Sequence, residues 1–508
     1  MLFTELNWTL NSPYPVLITL QLLPLAGALL MLALKDSLRL KQVGLLVAGV
    51  EMLLVIDMYR RYNHTTATMQ FAERLDLFGP FAYHAAVDGI SIVFMLLTAL
   101  MCLLVAIYGI IRGLEPTSRF LSVLLGVEAS LMAMFSTMNL MWFIVLSTAQ
   151  LGLIGYMLWR WAESPEKDFA LTRFYQFMGI GILLLLAGTV ALGWNAAHIT
   201  GQWSFDVFVL SQVPMLVGFQ SVVFFLLFYG FTIRTPFFPL HGWLPLIAEH
   251  GNIAVAPALF IGIKIGVYAL LRFVFPLVPD AIIQWHNYVV GFAVVGIFYA
   301  ALLAMVQSDL RRLIAFAILS HTGIIVMGLF SLHHLAFQGA VLLSVTFGLA
   351  AATLSLMTGM IFRRTRTTRL DKLGGLFDHI PLIGITFFIA GLSIIGMPGT
   401  PGFDAVHLVL EASIVRFGGL VTIAAALGNV LAAGFLLWAF QRAFLGSTPE
   451  GATSASIEPA RPSELLIAGL IVAVLLSTGF HITPLMDLIE MPLESISQLY
   501  PGGDAGHD

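Results

Sequence analysis

Apolar runs of about twenty residues recur from one end of this chain to the other. That repetition leaves few folds open. Each run matches the length a helix needs to cross a hydrocarbon layer of about 30 Å. A chain in lipid must pair every backbone N–H and C=O within itself, which leaves helices or closed barrels. Strand-period alternation is absent and the runs are continuous, so the expectation is an all-α polytopic membrane protein. Composition agrees: 59% of the 508 residues are hydrophobic and 10% are charged, against roughly a quarter charged in a soluble domain. Punctuation by charge, Gly and Pro predicts about 14 transmembrane helices: 14–34, 43–60, 86–112, 118–137, 139–159, 172–194, 219–247, 253–276, 286–306, 311–331, 335–362, 380–413, 418–444 and 464–480.

The basic residues test that count. With the N-terminus outside, the odd-numbered connections hold seventeen of the 24 Lys and Arg, including Arg160, Arg311, Arg312 and the run Arg363 to Lys372. The even-numbered connections hold five (Arg60, Arg61, Arg74, Arg272 and Arg416), and Arg234 and Lys264 fall inside spans. This bias places the odd connections in the cytoplasm and both termini outside, in a bacterial inner membrane. The first apolar run lacks a basic leader segment and is read as a retained span. The tail PGGDAGHD is expected to fray. One cysteine, Cys102, builds neither an iron–sulfur cluster nor a disulfide framework, and a net charge of −4 without basic tracts offers nothing to nucleic acid.

An ionisable group at membrane depth is costly unless paired or wetted, so each one is a functional candidate. The set is Glu128, Gln150, Arg234, His241, Lys264, His321, Asp404, His407 and Glu411. A register-fixing ion pair is the structural alternative for each charge, and a hydrogen-bonded core imidazole for His241. Their spread over spans four to twelve suits a proton path better than a substrate pocket. Two spans carry helix breakers: RTPFFPLHGWLP (Arg234 to Pro245) in span seven and GMPGTPGFD (Gly396 to Asp404) in span twelve. Proline removes a backbone donor and clashes with the preceding turn, so both helices should unwind there. Paired interruptions five spans apart are the mark of inverted repeats around a central polar site.

Several stretches together resemble the antiporter-like subunit M (chain 4) family of respiratory complex I. They are YHAAVDGIS (Tyr83 to Ser91), TPFFPLHGWLP, IGIKIGVYALLRF (Ile261 to Phe273), QSDLRRLIAFAILSHTG (Gln307 to Gly323), LAFQGAV (Leu335 to Val341) and GMPGTPGF. The resemblance runs in family order over nearly the whole chain. It implies two inverted five-helix repeats with broken helices 7 and 12, which divides the chain into an N-terminal three-helix segment (1–117), a first repeat (118–276), a second repeat (286–444) and a last helix with its tail (445–508). It also implies a central polar axis, with Lys264, His321 and Glu128 at family positions. No cofactor is implied in this chain; quinone, flavin and iron–sulfur clusters belong to partner subunits. The implied partners are other membrane subunits, the lipid bilayer and a soluble redox subunit.

The departures from the family pattern alter chemistry. Its span-five glutamate falls on Gln150, its span-seven lysine on Arg234, its span-eleven histidine on Phe347 and its span-twelve glutamate near Val406. Arginine does not release its proton and glutamine does not titrate. The pair is therefore expected to be a fixed cation beside an amide, with Glu128 as the counter-charge of Arg234. Lys264 and His321 then carry protons toward Asp404, His407 and Glu411. Glu249 and His250 suit either proton uptake or a plain interfacial role. Three functions compete: a proton-translocating subunit of a complex-I-like NADH–quinone oxidoreductase, the proton-conducting partner of a soluble metalloprotein that captures inorganic carbon or another solute, and a non-conducting scaffold. No Walker, Rossmann, zinc or nucleophile-triad motif is present to make the chain an enzyme by itself.

Overall fold

The computed structural model describes residues 4–34, 38–75, 79–447 and 457–500. Helices dominate. In chain order they are α1 (Val16–Ala33), α2 (Leu38–Arg61), α3 (Gly89–Arg112), α4 (Thr117–Ser136), α5 (Leu140–Arg160), α6 (Lys167–Thr200), one-turn α7 (Val207–Leu210), α8 (Val217–Arg234), α9 (Trp243–His250) and α10 (Ala256–Ala269). There follow α11 (Phe275–Leu277), which a π-helical turn joins to α10, α12 (Pro279–Met305), α13 (Leu310–Leu329), α14 (His334–Thr365), α15 (Pro381–Ile395), α16 (Gly402–Phe417), α17 (Gly419–Phe440), α18 (Pro462–Phe480) and α19 (Thr483–Ser497).

Among the described residues thirteen helices are long and apolar enough to cross a membrane, and α15 is a shorter apolar helix. With α15 and α16 taken as one interrupted crossing, this is the expected set of fourteen. Both breaks stand where proline predicted them, between Arg234 and Trp243 and between Ile395 and Gly402. Helix ends are closed by the sequence itself: Asp88, Asn139 and Asp309 accept from the first N–H groups of α3, α5 and α13.

Burial sorts the helices into a hub and a rim. The spans of α10, α13, α14 and α4 are almost wholly enclosed, whereas α2, α6, α17 and α18 expose most of theirs. Leucines such as Leu46, Leu183 and Leu420 are exposed on the rim, an apolar outer surface of the kind a bilayer-spanning bundle presents.

Three features differ from the sequence reading. A small sheet of β1 (Glu5–Asn7), β2 (Met69–Leu75) and β3 (Tyr83–Val87), in the order β1-β2-β3, decorates the helical bundle where no strand was expected. It lies at the helix ends away from the basic Arg363–Lys372 connection, where water can serve its open edges. Buried Glu73 on β2 accepts from the N–H groups of Leu17 (2.8 Å) and Ile18 (2.9 Å) at the start of α1. Its burial outweighs those bonds and pushes its carboxyl up to about 6. Secondly, amphipathic α19 packs on α3 and α14. A Cβ on Gly89 would lie 1.6 Å from the Leu488 carbonyl oxygen. Thirdly, Arg272 is no loop residue: it is buried in the π-helical turn and pairs with Asp88 at 2.6 Å. The tail PGGDAGHD lies outside the described residues.

Candidate functional site

The first break docks α8 onto α10. Side chains around the TPFFP segment bond one carbonyl at the end of α8 and two carbonyls of α10. The Trp243 indole donates to the Ile233 carbonyl (2.9 Å), Thr235 Oγ1 to the Ile263 carbonyl (3.0 Å) and Arg234 Nε to the Gly262 carbonyl (3.2 Å). Only glycine at 266 permits this approach, because a Cβ there would sit 1.7 Å from Thr235 Oγ1. Arg234 completes its set through Nη1 to Ser147 Oγ and Nη2 to Gln150 Oε1, both on α5. Every partner is neutral. The expected Arg234–Glu128 pair is therefore corrected: the guanidinium turns to α5 and α10, which offer three acceptors in fork geometry.

Lys264, on α10, has the opposite character. It is buried, and its Nζ makes no hydrogen bond. The ammonium lies 4.7 Å from the centroid of the Phe347 ring on α14. His321 of α13 stacks on that ring, with centroids 4.5 Å apart. Phe347 thus stands between the two groups, at the position where the family pattern has a histidine. A cation over an aromatic face is attracted electrostatically by the ring.

The second break supplies the far side of His321. α15 ends on Gly396, whose φ of 74° closes the helix in the left-handed region. That leaves the last carbonyls of α15 free. His321 Nε2 lies 2.9 Å from the Ile394 carbonyl oxygen, and its Nδ1 lies 3.1 Å from that of Ala317. Asn429 Nδ2 donates to the Ile395 carbonyl at 2.5 Å. Both ring nitrogens therefore face acceptors, and only the imidazolium can donate to both.

Toward the basic face of the bundle, a cavity of about 540 Å³ is lined by Arg112, Glu163, Glu249, Asp309, Arg311 and Arg369, among others. Ile253 and Arg311 also border a void of about 10 Å³ that reaches Ser355 and Thr358 on α14. Further along that helix, a Cβ on Gly348 would lie 3.5 Å from Lys264 Cγ, so the lysine side chain passes over this glycine. Glu249 pairs with Arg312 (3.1 Å), and His250 contacts Ser164 (2.9 Å) and Glu166 (3.4 Å) at this mouth.

The remaining candidates lie apart. Glu128 is buried with neither oxygen hydrogen-bonded. His241 is flanked by Phe238 and Tyr299, and its Nδ1 has no partner. On α16 the side chains of His407 and Glu411 are 68% and 50% exposed and 3.8 Å apart, with Asp404 half-buried on the same helix. These three form a patch on the flank of the chain, not part of the enclosed axis. Glu51 of α2 was missed by sequence reasoning, although it stands in the middle of the run GLLVAGVEMLLV, where a lone carboxylate was signal enough. It is fully buried and equally unpartnered.

Comparison with known proteins agrees with this architecture. Residues 137–432, more than half the chain, match the family described as NADH:quinone oxidoreductase/Mrp antiporter, TM. NADH-quinone oxidoreductase subunit M of Escherichia coli is 28% identical over 429 residues, which cover 82% of this chain and 83% of that protein. A chain of respiratory complex I from Thermus thermophilus superposes with a TM-score of 0.84 at 27% identity, covering 94% of this chain and 99% of that one. A chain of the Mrp complex from a Dietzia species superposes with a TM-score of 0.85 over 97% of this chain and 99% of its own; at 19% identity it speaks for the fold alone. The chain is a multi-pass membrane protein and belongs to the NADH:quinone oxidoreductase/Mrp antiporter transmembrane family.

Proposed function

We propose that this chain is an antiporter-like, proton-translocating membrane subunit of a complex-I-like oxidoreductase, with redox chemistry confined to its partners. One observation carries the reading: Lys264 is a buried amine without a hydrogen bond, held between helix breaks by an aromatic ring that also stacks on His321. Lysine, unlike arginine, is able to release and regain a proton, and here no hydrogen bond has to break for it to do so. The relatives being oxidoreductase subunits favours this over solute capture.

In this reading protons enter from the cytoplasm by the Glu249–Arg311 cavity and follow Ser355 and Thr358 to Lys264. From Lys264 they pass around Phe347 to His321, which faces the last carbonyls of α15. They leave toward Asp404, His407 and Glu411, which a neighbouring membrane subunit covers. Gln150 and Arg234 form a fixed electrostatic node beside this route, and His241 lies along the broken span. The basic connections face the cytoplasm of a bacterial cell and both termini lie outside. Residues 118–276 and 286–444 act as inverted repeats, with 1–117 and 445–508 flanking them. The chain binds no cofactor; flavin, iron–sulfur clusters and quinone belong to other subunits, a soluble redox module among them.

The test is Lys264→Ala in the native complex, read as substrate-driven acidification of inverted vesicles with assembly checked on native gels. Loss of proton translocation with assembly retained is the expected result, and wild-type translocation would leave the scaffold reading in its place. Co-purification from the native membrane settles the partner: flavin and iron–sulfur subunits are expected, and a lone soluble metalloprotein would favour solute capture.

A further inference from the structure

Two fully buried carboxyls, Glu51 on α2 and Glu128 on α4, have no hydrogen-bond partner at any of their four oxygens. Helix packing brings them to one level. Around Gly44, a Cβ would lie 2.8 Å from Met31 Cε and 3.2 Å from Leu121 Cδ1; around Gly27, it would lie 3.1 Å from Val47 Cγ1 and 3.2 Å from Leu125 Cδ1. As the chain numbers rise from 44 to 47 on α2 and from 121 to 125 on α4, those on α1 fall from 31 to 27, so α2 and α4 run parallel to each other and against α1. Glu51 is one further turn along α2 and Glu128 one further turn along α4. At about 1.5 Å of rise per residue the two carboxyls stand within about 2 Å of the same depth. α2 and α4 pack directly on each other, so the two carboxyls lie at one level of a single helix–helix contact.

An ionised carboxylate in such a place has neither a donor nor a cation to replace its lost hydration. We propose that Glu51 and Glu128 form a two-carboxyl proton-binding site, supplying between α2 and α4 the titratable acid that the Arg234 node lacks at Gln150. The pair alternates between holding two protons and holding one. An O–H bond forms on one carboxyl as a hydronium gives up its proton and becomes water, and that bond breaks as the proton passes on to a water, which becomes hydronium. α3 and α4 both pack on α10, the helix of Lys264, which links the acid pair to the main route. This inference rests on the proton-translocating function proposed above.

The experiment compares Glu51→Gln, Glu128→Gln and the double variant in the native complex, by substrate-driven proton translocation with assembly checked in parallel. Each single variant is expected to assemble and lose translocation roughly tenfold or more, the scale of removing a positioned proton carrier. The double variant is expected to be no worse than either single, because the two act as a unit. Glu51→Gln translocating at the wild-type rate would overturn the proposal, whatever Glu128→Gln does. If the variants fail to assemble, dicyclohexylcarbodiimide, an apolar reagent that adds to protonated carboxyls, is applied to the wild-type complex. An adduct on Glu51 or Glu128 by peptide mass spectrometry is expected, and recovery of both peptides unmodified overturns the pair. Lys264→Ala separates the two levels: normal translocation there defeats the proposed function itself, whereas its loss beside a silent Glu51→Gln defeats the acid pair alone.

Discussion

Arg234 and Lys264 are both buried cations on the same stretch of helix packing, and their surroundings differ in kind. Arg234 donates to Gly262, Ser147 and Gln150, so its guanidinium is fixed by neutral acceptors on two helices. Lys264, two residues beyond the carbonyl that Arg234 binds, has no acceptor and rests on an aromatic face. A saturated cation with a delocalised charge is a structural and electrostatic fixture. An unsaturated amine is free to change its protonation state at small structural cost. The family pattern, with a lysine–glutamate pair at the first position, makes both places titratable. In this chain the first is held by hydrogen bonds to neutral acceptors, and the proposed route assigns proton handling to the second.

The difference can be broken or sharpened by substitution. Lys264→Ala has the largest expected effect, a loss of proton translocation of about 100-fold or more with assembly intact, measured by dye quenching in inverted vesicles. Arg234→Ala acts instead on stability. It strands three acceptors, at a cost on the order of 3 kcal/mol, and should appear as lower complex yield and earlier thermal dissociation on native gels. Should Arg234→Ala assemble normally and stop translocation, the contrast drawn between the two cations fails. Phe347→Leu removes the face under Lys264, worth about 1–2 kcal/mol when desolvated. A moderate fall in translocation is expected, and Phe347→Tyr, which keeps the ring, should recover most of it. The smallest effect belongs to the exposed pair on α16: His407→Ala changes the thermal stability of the isolated chain by less than about 0.5 kcal/mol. A larger destabilisation would show that this patch is packed within the chain itself.

Much of the fold was legible because lipid imposes one rule on every backbone group. Span number follows from apolar run length, and both breaks follow from Pro236, Pro239, Pro398 and Pro401. The sheet of β1, β2 and β3 was not legible: its strands are short, lie in polar connections and pair β1 with β2 across an intervening hairpin of helices. α19 escaped because its apolar face is one-sided and punctuated by Pro492. Among the candidate residues, Lys264 and His321 were found as charges out of place, and the same rule applied to Glu51 would have found it too.

The sequence by itself determined that the chain crosses a membrane many times, where its helices break and which residues carry charge at depth. Run length, proline chemistry and solvation cost are all local properties. Only the tertiary structure decided what each charge meets. Arg234 turns from Glu128 to Gln150, Phe347 stands between Lys264 and His321, and Glu51 comes level with Glu128, because side-chain partners are set by how separate helices cross. Helical spacing tells which residues share one helix face, and nothing in it specifies which other helix that face will find.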